Sequence, residues 1–169
     1  MIIIKNKSCL LKTIPLVLEE FQKVHFLIMG YPNVERYRRQ AEELGVADHV
    51  TLPLIQFFCG FFSRKAPGDL AVSPKLAETE SNGKLCNYMA CGLATVAFDT
   101  PVNREILGEW GVYARLGEAA SLAEAILGLL GDEERVKELG RRLRRRAVER
   151  FSWDDTARRL MECYRDLVP

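Results

Sequence analysis

The chain lacks most of the features that mark a specialised functional class. Its five cysteines, Cys9, Cys59, Cys86, Cys91 and Cys163, are odd in number and show no paired C-x-x-C spacing. Neither a disulfide framework nor a zinc site is indicated, and they read as buried thiols of a reducing cytosol. There are two histidines, His25 and His49. Both fall in or beside strand-like segments with no serine or carboxylate at a suggestive spacing, so a structural role is the better reading of each. No apolar run is long enough to span a bilayer and no signal-peptide pattern is present, which makes any membrane contact peripheral and the expected location cytoplasmic. Lys and Arg number 24 against 23 Asp and Glu, a formal net charge of +1. That balance argues against a general nucleic-acid partner, which calls for a marked basic excess.

What is present describes a single soluble domain. With 169 residues, 48% of them hydrophobic and 28% charged, the chain is long enough to bury roughly 70% of its unfolded surface. Short apolar runs alternate with amphipathic segments. Strands are expected at 1–4, 24–29, 49–52, 69–74, 94–98 and 111–113. Leu10, Leu11, Ile14, Leu18 and Phe21 recur at helical spacing, with Pro15 requiring that the helix start near Thr13 or bend there. Asn33 is placed to cap a helix that ends at Gly45. A short helix is expected at 103–107, with Asn103 as its cap. Ser121-Leu122-Ala123-Glu124 reads as a capping box, opening a helix with Leu122, Ile126, Leu129 and Leu130 on one face. Helices follow at 133–150 and 153–167. Strand and helix alternating in this way predict an α/β fold, a parallel sheet covered by helices on both faces.

Two stretches stand out from that pattern. Arg141-Arg142-Leu143-Arg144-Arg145-Arg146 is a basic run on a helix. It reads first as a solvated face paired with Glu134, Glu138 and Glu149, and second as a contact for an anionic membrane surface or partner. The segment 53–67 carries Phe57, Phe58, Phe61 and Phe62 close together. A core plug, an exposed association patch and a local sequence alteration all fit it.

The most informative stretch is Glu78-Thr79-Glu80-Ser81-Asn82-Gly83-Lys84-Leu85-Cys86-Asn87-Tyr88-Met89-Ala90-Cys91-Gly92. It lies between two apolar strand segments, so its acids leave the carboxyl end of a strand, the edge where open α/β sheets bind ligands. Asn82 or Ser81 is placed to cap the next helix, whose amino-terminal N–H groups beside Lys84 suit a diphosphate. Gly83 permits close ligand approach there, and Gly92 stops the helix. Tyr88 and Met89 read as packing. A nucleotide carrying a polyhydroxylated group satisfies the phosphate-seeking and the acidic parts together.

With these residues the chain resembles the C-terminal half of a group 1 glycosyltransferase of the GT-B fold, the retaining family that uses nucleotide-sugar donors. Phe26-Leu27-Ile28-Met29-Gly30, Leu44-Gly45-Val46-Ala47-Asp48-His49-Val50, Asp99-Thr100-Pro101-Val102-Asn103-Arg104-Glu105-Ile106-Leu107 and Phe151-Ser152-Trp153 extend the resemblance over most of the chain. It implies a Rossmann-like, doubly wound parallel sheet with C-terminal helices packed across it. The family places one acid on the sugar and a second on the ribose, shortly before a Met-Ala pair. Here Asn87 stands at the second position, and Thr79, flanked by Glu78 and Glu80, at the first. Lys84 matches a motif variant in which a lysine opens the helix, and Lys7 is the match to a lysine that neutralises the leaving diphosphate.

The resemblance therefore implies Glu78, Glu80 and Lys84 as catalytic residues and Lys7, Asn82, Gly83, Lys84 and Asn87 as donor-binding residues. It implies no cofactor and no metal. The donor is a nucleotide-diphosphate sugar and the acceptor a glycan or lipid-linked molecule, bound by a second, N-terminal half that residues 1–169 do not include. Residues 1–169 are then one donor-binding domain, isolated or paired with a separate half, and nearly inactive alone. The last helix of such a domain crosses to the other half, leaving its apolar side partly uncovered here. A non-catalytic nucleotide-binding or assembly module is the alternative reading, and a sugar-nucleotide epimerase of the same fold a less favoured one.

Overall fold

The computed structural model describes residues 7–28, 33–52 and 69–167. The expected strand at 1–4 and the aromatic segment 53–67 lie outside the described residues. In chain order the elements are α1 (Lys7–Glu20), β1 (Phe26–Leu27), α2 (Val34–Glu43), β2 (Val50–Thr51) and β3 (Leu70–Ser73). They continue with α3 (Gly83–Ala90), β4 (Ala94–Phe98), α4 (Pro101–Leu107), β5 (Val112–Ala114), α5 (Ala119–Leu127), α6 (Glu133–Arg150) and α7 (Trp153–Leu167). Among the described residues every strand pairing is parallel. Phe26 lies opposite Val50 in β1–β2, Leu70 opposite Ala94 in β3–β4, and Val96 opposite Val112 in β4–β5.

β4 shows why the fold is layered. All of its residues are buried, and the alternation of a strand sends them to two separate cores. Ala94, Val96 and Phe98 join Leu10, Leu11, Ile14 and Val17 of α1 and Leu122, Ala123 and Ile126 of α5. Ala97 joins Leu85 and Met89 of α3, Ile106 and Leu107 of α4, and Leu143 and Ala147 of α6. Each fully buried Leu or Ile in such a core is worth roughly 1.5–3 kcal/mol, so a run of small and branched apolar residues in β4 stabilises both faces at once. This is the Rossmann-like sheet expected, with helices on both faces and α6 packed across one of them.

Two glycines set that packing. Gly92 ends α3 in the left-handed region at φ 72°, where its N–H meets Met89 O at 2.9 Å and the N–H of Leu93 meets Tyr88 O at 3.1 Å. Gly140 is where α6 crosses this turn: a Cβ there would stand 2.1 Å from Gly92 O. Residues of α7 are nowhere buried. Trp153 is 87% exposed and Leu167 76% exposed, with Leu160, Met161 and Tyr164 also open.

Several local expectations change. Of the two courses open to the first helix, a start near Thr13 is excluded: α1 runs from Lys7 through Pro15 to Glu20, because packing on α5 and the sheet outweighs one lost N–H bond. Asn103 does not cap α4. Thr100 does, its Oγ1 accepting from the N–H of Asn103 at 3.2 Å with Pro101 next in line. The Ser121 capping box is also absent. α5 begins at Ala119, and Ser121 Oγ accepts from the N–H of Arg115 at 2.9 Å. The histidines are structural as expected: His25 Nε2 lies 2.7 Å from Thr51 Oγ1, and His49 Nδ1 lies 3.0 Å from Val24 O.

Candidate functional site

The parallel strands deliver their following turns to one edge. β3 ends at Ser73 and β4 at Phe98, and the chain leaves both into helices, α3 and α4. A buried polar network ties these pieces together. Asn82 Nδ2 donates to Ser73 Oγ at 2.9 Å and to Asn103 Oδ1 at 3.0 Å, and Asn103 Nδ2 donates to Phe98 O at 2.8 Å. Ser73, Asn82, Thr100 and Asn103 are all buried. Such groups cost free energy unless bonded, so their mutual satisfaction fixes the start of α3 against the ends of β3 and β4.

This network corrects the expected cap. Asn82 occupies the N-cap position of α3, but its side chain makes no capping bond to the helix because its amide faces inward. Ser81 is exposed. The main-chain carbonyl of Asn82 accepts from the N–H of Leu85 at 2.9 Å. The helix start is thus held from beneath, with the first-turn N–H groups of Gly83 and Lys84 left without intrahelical acceptors.

Around that start lie most of the residues singled out by sequence. Glu78, Thr79 and Glu80 form an exposed turn ahead of the helix, and Asn87 is exposed farther along it. Lys84 is half-buried, its Nζ withdrawn from solvent. Gly83 is exposed, and a Cβ built there meets no atom of the described residues within 4 Å. Among the described residues the space over the helix start is open. Leu85 and Met89 take the opposite, core-facing side, and Tyr88 is enclosed enough that burial pushes its phenol up to about 12.

Lys7 heads α1, but its side chain lies outside the described residues. The amino end of α1 does border the same edge. Cys9 Sγ lies 3.6 Å from Gly117 O, in the turn leaving β5, and a Cβ on Gly117 would lie 3.6 Å from Leu76, in the segment leaving β3. Burial raises the thiols of Cys9 and Cys86 above the usual range, which makes them poor nucleophiles.

Of three further side chains at this edge, Lys75 was not singled out from sequence, and Asp99 and Arg104 entered only within the stretch that carries the resemblance. Lys75 reaches under the acidic turn, its Nζ donating to Ser81 O at 2.7 Å and Glu80 O at 3.2 Å and lying 3.3 Å from Glu80 Oε2. Asp99 is gripped by Arg104 through Nε and Nη2 at 2.5 and 2.7 Å. The hydrogen bond from Arg104 holds the Asp99 carboxyl below its ordinary range. Arg104 also stacks over Tyr113 at 4.5 Å from the ring centre. A lysine just past a strand and an Asp–Arg pair around a Pro are visible signals, but their partners depend on the turn path. Among the described residues no group of three or more His, Cys, Asp or Glu side chains could hold a metal ion.

With this geometry in hand, comparison with known proteins is decisive at the level of family. The model of a family described as "Glycosyl transferases group 1" matches residues 3–132. The chain belongs to this family. Phosphatidyl-myo-inositol mannosyltransferase of Mycobacterium leprae is 30% identical over 165 residues, covering 95% of this chain and 42% of that protein. The Mycobacterium tuberculosis protein of the same name is 28% identical over 169 residues, covering 95% and 43%. The chain thus spans less than half the length of the curated relatives it matches. Among solved structures, S. aureus TarM in complex with UDP superposes with a TM-score of 0.82 at 19% identity, covering 96% of this chain and 33% of that one. Anabaena Alr3699/HepE in complex with UDP gives 0.81 at 18% identity, covering 96% and 46%. The C-terminal domain of a group 1 glycosyl transferase from Francisella tularensis gives 0.73 at 12% identity, covering 89% and 81%. At these identities the structures establish the GT-B fold of this group 1 glycosyl transferase domain.

Proposed function

We propose that this domain holds the nucleotide-diphosphate sugar donor of a retaining glycosyltransferase, with the diphosphate over the start of α3 and the sugar beside Glu78 and Glu80. The observation that carries the reading is the space above Gly83, open among the described residues, at a helix start anchored to the ends of β3 and β4. Dipole, N–H groups and Lys84 there favour an anion. As the glycosidic bond breaks, negative charge grows on the leaving diphosphate. Groups fixed in advance at that point stabilise the transition state more than the bound donor.

In this reading Lys7 adds positive charge from the amino end of α1, and Asn87 takes a ribose hydroxyl as a neutral partner in place of the family's acid. A carboxylate of the exposed 78–80 turn, Glu80 or Glu78, accepts hydrogen bonds from sugar hydroxyls and favours positive charge on the ring. The chemistry runs without a metal or other cofactor. A second, acceptor-binding half completes the cleft, so the chain alone binds donor and turns it over little. The names of the mycobacterial relatives make a mannosyl donor and an inositol-lipid acceptor the first to try, and a cytoplasmic enzyme working at the inner membrane face fits this reading.

Calorimetric titration of the chain with UDP, GDP and ADP, and then with the matching sugar nucleotides, tests the proposal. Saturable binding of one nucleotide that is lost in Lys84→Ala supports it. A folded chain that binds none of them at millimolar concentration overturns it.

A further inference from the structure

The two glutamates of the acidic turn are not equivalent. We infer that Lys75 and Glu80 form a lock that holds the turn in its binding shape, and that Glu78 is the carboxylate left to meet the sugar. The inference rests on the donor-site reading above and assigns separate roles within it.

An ammonium group has three donors and no acceptor. Lys75 directs its Nζ at three oxygens of the turn: Ser81 O at 2.7 Å, Glu80 O at 3.2 Å and Glu80 Oε2 at 3.3 Å. Its side chain is only 18% exposed. A phosphate could take this lysine only by displacing one of those oxygens, so Lys75 acts on the turn and not on the donor.

The consequence follows from peptide geometry. In a planar trans peptide the N–H points opposite to the C=O. With the carbonyls of Glu80 and Ser81 both drawn to one ammonium, the N–H groups of Ser81 and Asn82 are turned away from it. They run directly into the first-turn N–H groups of Gly83 and Lys84. Successive N–H groups arranged in this way form an anion-binding concavity. Lys75 therefore orients the dipoles that meet the diphosphate, and the Glu80 carboxylate balances its charge at that position. Glu78, by contrast, is exposed and makes no ion pair among the described residues. Its two oxygens remain acceptors for a diol.

The test is a double-mutant cycle read by titration with the nucleotide diphosphate and, separately, with its sugar nucleotide. Lys75→Met should weaken both about tenfold, as expected for losing charge-assisted hydrogen bonds, and Lys75→Arg should recover part of that loss. Glu80→Gln should weaken both ligands alike, and the double variant should lose less than the two single losses summed. Glu78→Gln should lower affinity for the sugar nucleotide more than for the bare nucleotide. Additive losses from Lys75→Met and Glu80→Gln, or a sugar-selective loss in Glu80→Gln, overturn the assignment.

Amide hydrogen exchange on the unliganded chain decides the lock independently of any donor. Exchange at residues 81–84 should quicken in Lys75→Met and in Glu80→Gln, and unchanged exchange refutes the lock. If the wild-type chain binds no nucleotide, the donor reading fails while the exchange result still stands. Should Lys75→Met fail to fold, Glu80→Gln carries the exchange test.

Discussion

Replacing Gly83 by alanine separates what the fold needs from what a ligand needs. Gly83 is the first residue of α3 and has no positive φ. An alanine methyl there meets no atom of the described residues within 4 Å. Alanine is the better helix former by at most ~1 kcal/mol, and it also restricts the unfolded chain. For a domain of this size ~1 kcal/mol moves Tm by about 2–4 °C, so Gly83→Ala should leave Tm unchanged or raise it by no more than that. Nucleotide affinity should move the other way. A diphosphate seated on the N–H groups of the first turn needs close backbone approach, and a methyl in that space should weaken it at least tenfold, about 1.4 kcal/mol. Thermal unfolding and calorimetric titration of the same preparation give both numbers. Full affinity with normal stability would remove the phosphates from this helix start. A drop in stability would mean that other protein atoms occupy the space.

Gly140→Ala should do the opposite, because its Cβ would stand 2.1 Å from the backbone oxygen of Gly92. Backbone cannot rotate aside, so urea unfolding should register a loss of ~1–3 kcal/mol, and an unchanged midpoint refutes the close crossing of α6. Asn103→Ala removes the acceptor for Asn82 and the donor to Phe98 O. It should cost ~1–3 kcal/mol in unfolding and weaken the nucleotide as the α3 start loosens, whereas intact affinity would show that the network does not position the site. The phenol of Tyr88, raised by burial from 10 to about 12, keeps its proton longer in the folded chain than in the unfolded one. Its contribution to stability is full below pH 10 and is lost as the pH rises towards 12. Burial also raises the phenol of Tyr113, so ultraviolet titration should show a late component that shrinks in Tyr88→Phe, and a titration unchanged by that substitution contradicts the enclosure.

Period and punctuation were enough to locate β4, α6 and α7, since a fully apolar strand and two amphipathic helices with clear ends carry their own boundaries. Polar residues near helix starts were the weak point. Asn82, Asn103 and Ser121 each had the chemistry and the place of a cap, but each is buried and bonds inward or to a neighbouring turn. An amide or hydroxyl satisfies a helix N–H and a buried partner equally well. The choice falls to tertiary packing, which local spacing does not contain. The site divides in the same way. Glu78, Glu80, Gly83, Lys84 and Asn87 were legible as a strand-to-helix turn at the carboxyl end of β3, whereas Lys75 was not, because its contacts depend on two carbonyls turning towards it.

At three of its arginines the basic run of α6 follows the first of its two readings, a face paired with glutamates. Arg141 and Arg142 pair with Glu138, and Arg145 with Glu149. Glu134 pairs instead with Lys137, and Arg142 also stacks on Trp110 at 4.2 Å. Arg146 donates to Ile106 O at 2.7 Å and to Glu105 O at 2.6 Å, and Arg144 donates to Ala90 O. Those three carbonyls lie at the carboxyl ends of α4 and α3, where cations complement the helix dipole. The run therefore lies at the opposite ends of the helices whose starts line the ligand edge, and its arginines serve the fold. Arg146→Met should cost ~1–3 kcal/mol in urea unfolding, the value for hydrogen bonds from a charged donor, and leave binding to anionic vesicles unchanged. Lost vesicle binding at full stability would return the run to the membrane and require another explanation for its contacts with α3 and α4.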